Sequence, residues 1–193
     1  VGRSFIEFIH PKDRQMFAAQ IASNVTPTNA VTAPNTTQTI YFKMFCRIRI
    51  YKGLSLGFTV KNRSEAYKPF ALRLSFKSIN QCDRKYLVVQ GTPISPVFKT
   101  ATEEVINPIP FTMRHLANGS LEYVDSALVP HLGYLPQDIL QKNVFNLYHP
   151  DDLVYLKNVY DLIVKQGTVA RSKSYRVLAQ NGTYMRLETE WTS

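Results

Sequence analysis

The chain has 193 residues, of which 45% are hydrophobic and 19% charged, and a formal net charge of +9. This balance suits a folded globular chain and excludes a disordered one, and no run approaches the roughly 18–20 apolar residues of a membrane helix. The charge is uneven, with 15 Lys/Arg against 6 Asp/Glu in residues 1–107 and 8 against 8 in residues 108–193. A basic half attracts nucleic acid or an acidic partner. Here the cations alternate with apolar residues, as at Lys43, Arg47 and Arg49, which suits the wet or partner-facing side of a sheet. Direct nucleic-acid contact is therefore not expected, nor is a membrane.

Cys46 and Cys82 form no CxxC pair or metal-ligand spacing, so they are expected to be reduced and packed as small apolar groups. No signal peptide opens the chain, which starts in mid-element without Met, as a fragment of a longer protein would. An intracellular setting is expected. The Asn-x-Ser/Thr sequons at Asn24, Asn35, Asn62, Asn118 and Asn181 are then turn chemistry rather than glycosylation sites.

In chain order, a helix is expected to start at Pro11, because a first-turn proline lacks only an N–H that would have no intrahelical partner. Asp13 falls in its first turn, where the helix dipole favours a carboxylate, and Phe17 and Ile21 share a face. The helix should stop before Pro27, and residues 22–39 read as a loop. In residues 40–51, Ile40, Phe42, Met44, Cys46, Ile48 and Ile50 alternate with Tyr41, Lys43, Phe45, Arg47, Arg49 and Tyr51, a half-buried strand. Residues 52–66 connect to a second strand at about Phe70–Ser78, and a third covers about 86–94; the three should form a meander. Thr100 to Val105 suggests a turn of helix in a proline-bracketed linker.

The second half opens with FTMRHL and LEYVDS joined through Asn118-Gly119, a hairpin signal in which both residues tolerate positive φ. Short helices are expected at 127–135 and from Pro136 to Leu140. The His149-Pro150-Asp151-Asp152 step starts the strongest helix, with Leu153, Leu156, Val159, Tyr160 and Ile163 at three-to-four spacing and Gly167 as its stop. Residues 174–180 form a strand, Asn181-Gly182 a turn, and Thr183–Thr192 a returning strand.

One sentence of structure occurs twice. At an offset of 139, His10-Pro11 falls on His149-Pro150, Asp13 on Asp152, Phe8 on Leu147 and Phe17 on Leu156. That spacing fits two tandem modules better than a solenoid. His10 and His149, each with an acid three residues on, invite a metal or acid–base reading. A repeated helix start explains the pair better than one active site does. His115 and His131 stand alone, and no phosphate loop, GxGxxG, GxSxG or HExxH occurs. No catalytic, metal or cofactor residue is assigned, and no enzyme is expected.

The order of hairpin, short helices, longer helix after His-Pro-x-Asp and antiparallel meander resembles a PAS domain. HLGYLPQDIL, FNLYHPDDL and YRVLAQNGTYMRLETEWTS resemble the second PAS domain of the PERIOD family of circadian repressors. VGRSFIEFIHPKDR with the strands after it is similar to the later half of the first. The strings LGYLPQD and ETEWTS point to an insect-type member. The resemblance implies an α+β fold of tandem PAS domains, each an antiparallel five-stranded sheet with flanking helices. Residues 1–98 would be the C-terminal part of the first domain (a helix and the last three strands), 99–110 a linker, and 111–193 the second domain without its final strand.

The resemblance further implies a protein-interaction region of a transcriptional repressor in the circadian negative feedback loop, shuttling between nucleus and cytoplasm. Its partners would be itself as a homodimer, Timeless or cryptochrome, the Clock–Cycle activator and a casein-kinase-type kinase. No cofactor is expected, because photoreactive flavin members need an Asn-Cys-Arg helix context that Cys46 and Cys82 lack. The alternative is a PAS sensor for a small ligand, haem or flavin, with haem reaching His115, His131 or a cysteine. Partner contact is assigned to Tyr184, Leu187 and Trp191 on one strand. Leu187 and Trp191 share a face, which also suits core lining, and Tyr184 opposes them.

A sheet missing its last strand would present apolar edge. The isolated 193-residue chain is therefore expected to aggregate or fold poorly, and a sharp cooperative melt in calorimetry would contradict that expectation.

Overall fold

The computed structural model describes residues 2–25, 41–50, 66–78, 85–98, 100, 105 and 107–193. Cys82, Asn35, Asn62 and most of the expected 100–105 helical turn lie outside the described residues. The chain divides into two compact units, Val1–Ile94 and Ser95–Ser193.

In the first unit a 3₁₀ turn (Phe5–Phe8) leads into helix α1 (Pro11–Val25), which starts at Pro11 as the sequence indicates. Strands β1 (Phe42–Arg49), β2 (Tyr67–Ser78) and β3 (Lys85–Pro93) form an antiparallel meander in that order. The period-two pattern decides which side is buried. Met44, Cys46, Leu72 and Leu74 are buried and join Ile9 and Phe17 in one core. Strand β2 begins three residues before the expected Phe70 and runs through Pro69. A proline normally breaks a ladder because it lacks an N–H. Pro69 sits opposite Arg47, whose N–H and C=O both point away from β2, to Asp13 and His10. The missing donor therefore costs the β1 ladder no hydrogen bond, and on the other side the Pro69 carbonyl accepts the Ile94 N–H.

The second unit opens with the hairpin β4 (Met113–His115) and β5 (Leu121–Val124). A 3₁₀ turn (Ser126–Leu128) runs into the short helices α2 (Val129–Leu132) and α3 (Pro136–Ile139). Further 3₁₀ turns at Val144–Leu147 and Pro150–Asp152 precede helix α4 (Leu153–Gln166), which Gly167 closes in the left-handed conformation. Strands β6 (Thr168–Val169), β7 (Tyr175–Leu178), β8 (Tyr184–Leu187) and β9 (Trp191–Thr192) follow. They pair as antiparallel β7–β8 and β6–β9. The expected strand over 183–192 is thus two strands with different partners, and the short β6 carried no periodic signal in the sequence. Of the apolar stripe on α4, Leu156, Val159 and Ile163 are buried, whereas Leu153 is 41% exposed.

Both hairpins of this unit use one turn chemistry, and it differs from the mirror-image turn that Asn-Gly suggests. Only the glycines, Gly119 and Gly182, take positive φ. The N–H of each bonds the carbonyl three residues back, on Leu116 and Ala179. This is an ordinary type I turn followed by a left-handed glycine. Asn118 Oδ1 accepts the Ser120 N–H, and Asn181 Oδ1 accepts the Thr183 N–H and hydroxyl, so both sequons serve as turn locks.

The two glycines differ in their surroundings. A Cβ on Gly119 would lie 2.5 Å from Asn143 Oδ1 and 2.7 Å from the Phe145 ring, whereas one on Gly182 would meet nothing within 4 Å. Gly182→Ala should cost about 1 kcal/mol, from backbone strain alone. Gly119→Ala should cost at least about 2–3 kcal/mol, because the clash adds to the strain. Urea unfolding of the two variants checks this, and equal losses would show that the clash is relieved without penalty.

Candidate functional site

The doubled His-Pro-x-Asp sequence folds into the same device twice, and its key partner is an arginine: Arg47, expected on the wet side of a sheet, and Arg176, to which the sequence gave no role. In the first unit, Asp13 Oδ2 accepts the Arg47 backbone N–H at 2.8 Å and Nε at 2.9 Å, and Oδ1 accepts Nη2 at 2.7 Å. In the second, Asp152 Oδ2 accepts the Arg176 N–H at 2.8 Å and Nε at 2.9 Å, and Oδ1 accepts Nη2 at 2.8 Å. The histidine N–H donates to the same arginine's carbonyl, His10 to Arg47 at 2.8 Å and His149 to Arg176 at 3.0 Å. Each imidazole Nδ1 accepts the N–H two residues on, from Lys12 or Asp151, at 3.2 Å. Each ring also meets a tyrosine edge-on: His10 with Tyr67 at 4.7 Å and His149 with Tyr184 at 4.6 Å. Tyr67 lies opposite Arg49, and Tyr184 opposite Leu178, each two residues beyond the clamped arginine.

Charge and burial favour this clamp over metal chemistry at either histidine. A planar guanidinium matches a carboxylate in two parallel hydrogen bonds, which lysine cannot supply. Asp13 is 1% exposed and its carboxylate lies 2.7 Å from the Arg47 guanidinium. Hydrogen bonding to the Arg176 side chain, helped by its backbone N–H and charge, holds the Asp152 carboxyl down to about 2. The arginine is correspondingly raised. Among the described residues, no three His, Cys, Asp or Glu side chains are grouped to hold a metal.

The three residues assigned to partner contact occupy different settings. Tyr184 is 44% exposed on β8, with its ring against His149. Leu187, opposite Tyr175, and Trp191, opposite Val169, both pack against the core of the second unit. The Trp191 ring lies 5.4 Å from Tyr160 and 6.0 Å from Tyr175, and its buried indole N–H has no acceptor among the described residues. Beside it runs a polar chain, with Tyr148 and Tyr160 hydroxyls 3.0 Å apart and Tyr160 Oη 3.0 Å from His115 Nε2. His115 Nδ1 lies 2.8 Å from the Leu116 carbonyl, to which it donates. Burial pushes the Tyr175 hydroxyl up to about 12. His131 sits between Phe98 and Phe111, where burial lowers its pKa. Burial, reinforced by Asp13, pushes the Cys46 thiol up to about 12, in keeping with a small apolar group in the core.

Comparison with known proteins gives this geometry its class. Residues 121–193 match the PAS fold family, so the second unit carries a PAS domain. Over the whole chain the sequence is 49% identical to a period circadian protein of Manduca sexta, 48% to one of Antheraea pernyi and 38% to one of Drosophila pseudoobscura pseudoobscura. The whole chain is thus similar to period circadian proteins. It spans 55%, 23% and 16% of the length of those three relatives. A solved Drosophila melanogaster Cycle PAS-B with bound ethylene glycol matches at 25% identity and a TM-score of 0.41, covering 43% of this chain and 81% of that one.

The clamp carries a pH signature. The Asp152 carboxyl is depressed from 3.8 to about 2 in the folded chain. Its stabilisation is therefore complete above 3.8 and is lost as pH falls through about 2. Urea midpoints should fall over that window in the native chain, and Asp152→Asn should start lower and flatten the acid limb. An unchanged acid limb in the variant would show that the pair contributes no pH-dependent stability.

Proposed function

We propose that this chain is the protein-interaction region of a circadian clock protein that represses transcription within a negative feedback loop. The observation that carries the reading is its 37–49% identity, over the full chain, to period circadian proteins. The first unit is read as a second PAS copy. Support comes from its clamp, which repeats the His, Pro, Asp, Arg and Tyr positions of the matched unit with bond lengths agreeing to within 0.2 Å. The partners proposed are a second copy of the chain, Timeless or cryptochrome, the Clock–Cycle activator and, for the full-length protein, a casein-kinase-type kinase. The working locations proposed are the nucleus and the cytoplasm.

Tyr184 suits a contact residue because its exposed ring is already held in place by His149, so little side-chain freedom is lost on binding. A small-ligand sensor is the second reading, favoured only by the buried Trp191 indole N–H without an acceptor among the described residues.

Sedimentation and circular dichroism test the proposal together. Tyr184→Ala should keep the fold and weaken self-association about tenfold. Trp191→Ala should instead destabilise the second unit by about 3 kcal/mol, through lost aromatic packing. A native chain that stays monomeric at about 100 µM would refute self-association. Native mass spectrometry of the same sample reads any retained small molecule, which would favour the sensor.

A further inference from the structure

The outer face of the β1–β3 sheet has a character that core packing does not explain. Register places Lys43 opposite Arg73 and Arg73 opposite Gln90, while Lys77 lies opposite Tyr86 and Ser75 opposite Val88. These positions, of which Ser75 alone is buried, at 2% exposure, alternate with Met44, Leu72 and Leu74 of the core. Lys43, Arg73 and Lys77 are all exposed, as are Tyr86 at 46% and Val88 at 42%. Strands β1, β2 and β3 contain no acidic residue. A face meant only to be wet would carry both signs and few apolar side chains.

We propose that this face docks an acidic, extended segment of a partner protein. Lys43, Arg73 and Lys77 would pair with its carboxylates, and Tyr86 and Val88 would seat the apolar side chains between them. Arg73 and Lys77, four residues apart on one strand, are separated by about 13 Å, so an extended partner meets both with carboxylates at matching alternate positions. Their positive field selects an acidic partner and speeds its encounter. Nucleic acid fits less well. Sheets that bind single strands stack bases on open aromatic faces. Here the Arg73 guanidinium already lies 3.7 Å over the Tyr41 ring, and the central apolar residue, Val88, is aliphatic. The proposal rests on reading the chain as a protein-interaction region and adds the chemistry of one partner.

The test uses the full chain and fluorescence anisotropy with a labelled peptide of about twelve residues, long enough to cross the face, in which glutamate and leucine take turns at every second position with serine between them, so that both face the sheet. A counterpart peptide carries glutamine for glutamate. Two triple variants remove the same charge from different places. Lys43→Gln/Arg73→Gln/Lys77→Gln strips the face, and Lys12→Gln/Lys68→Gln/Lys85→Gln strips exposed lysines that lie off it. The first should weaken binding of the acidic peptide at least about tenfold, the second less than about threefold, and the glutamine peptide should not bind. Equal losses in the two variants, equal binding of the two peptides, or tighter binding of a thymidine oligonucleotide would overturn the proposal. If dichroism shows the face variant unfolded, Lys43→Gln and Lys77→Gln singly decide, each expected to weaken binding about threefold and each overturning the proposal if it does not. Sedimentation of the same samples separates the two readings. A monomer that still binds the peptide sinks only self-association, and a self-associating chain that ignores it sinks only this face.

Discussion

The contact on which both units depend is an aspartate reaching from the start of a helix to the backbone and guanidinium of an arginine in a strand. In β1 it occupies an edge. A strand edge leaves a row of N–H and C=O groups open to pairing with any other chain. At Arg47 the carboxylate of Asp13 takes the N–H and the amide of His10 takes onto itself the C=O. At Arg176 the same two groups go to Asp152 and His149. Proline supplies the sharp entry to the helix between these bonds. The motif thus joins helix, strand and edge protection in four consecutive residues, and the isolated bridges Ile9–Ile48 and Tyr148–Val177 sit directly beside it.

Such a clamp makes strong demands on its members. Asp13 is almost fully buried, and removing a buried ion's partner leaves a charge with no compensation, which typically costs more than the pair itself contributes. Asp152 and Arg176 are more exposed, at 20% and 33%, so water shares in solvating them. The two copies therefore combine one geometry with different electrostatic settings. Only the second includes Asp151, which adds a longer contact to Arg176 at 3.3 Å.

Much of this was legible before any coordinates. Pro11, the alternation in 40–51 and the stripe on 153–163 fixed their elements, because each is a local signal whose period matches its structure. The Asp13–Asp152 repeat was visible as well, but its meaning was not. Read locally, the acids face helix dipoles. Their real partners lie 34 and 24 residues away in sequence. The arginines gave a signal, since each is a cation between two apolar neighbours, Cys46 and Ile48 or Tyr175 and Val177, but one that suits a wet face equally well. The division of 183–192 into β8 and β9 was hidden for a similar reason: pairing with the two-residue β6 is a tertiary event with no periodicity to announce it. Trp191 and Leu187 share the side that parity assigned them, and Tyr184 takes the opposite one.

The clamp also measures strand register from the protein's interior rather than from the hairpin tip. Tyr67 and Tyr184 occupy equivalent places against their histidines, although 17 residues (50–66) separate β1 from β2 and only 179–183 lie fully between β7 and β8. Loop-closure entropy rises slowly with length, so such connections are free to grow or shrink over generations without sliding one strand past the other. The open backbone around Gly182 is accordingly a natural place to graft a tag or reporter.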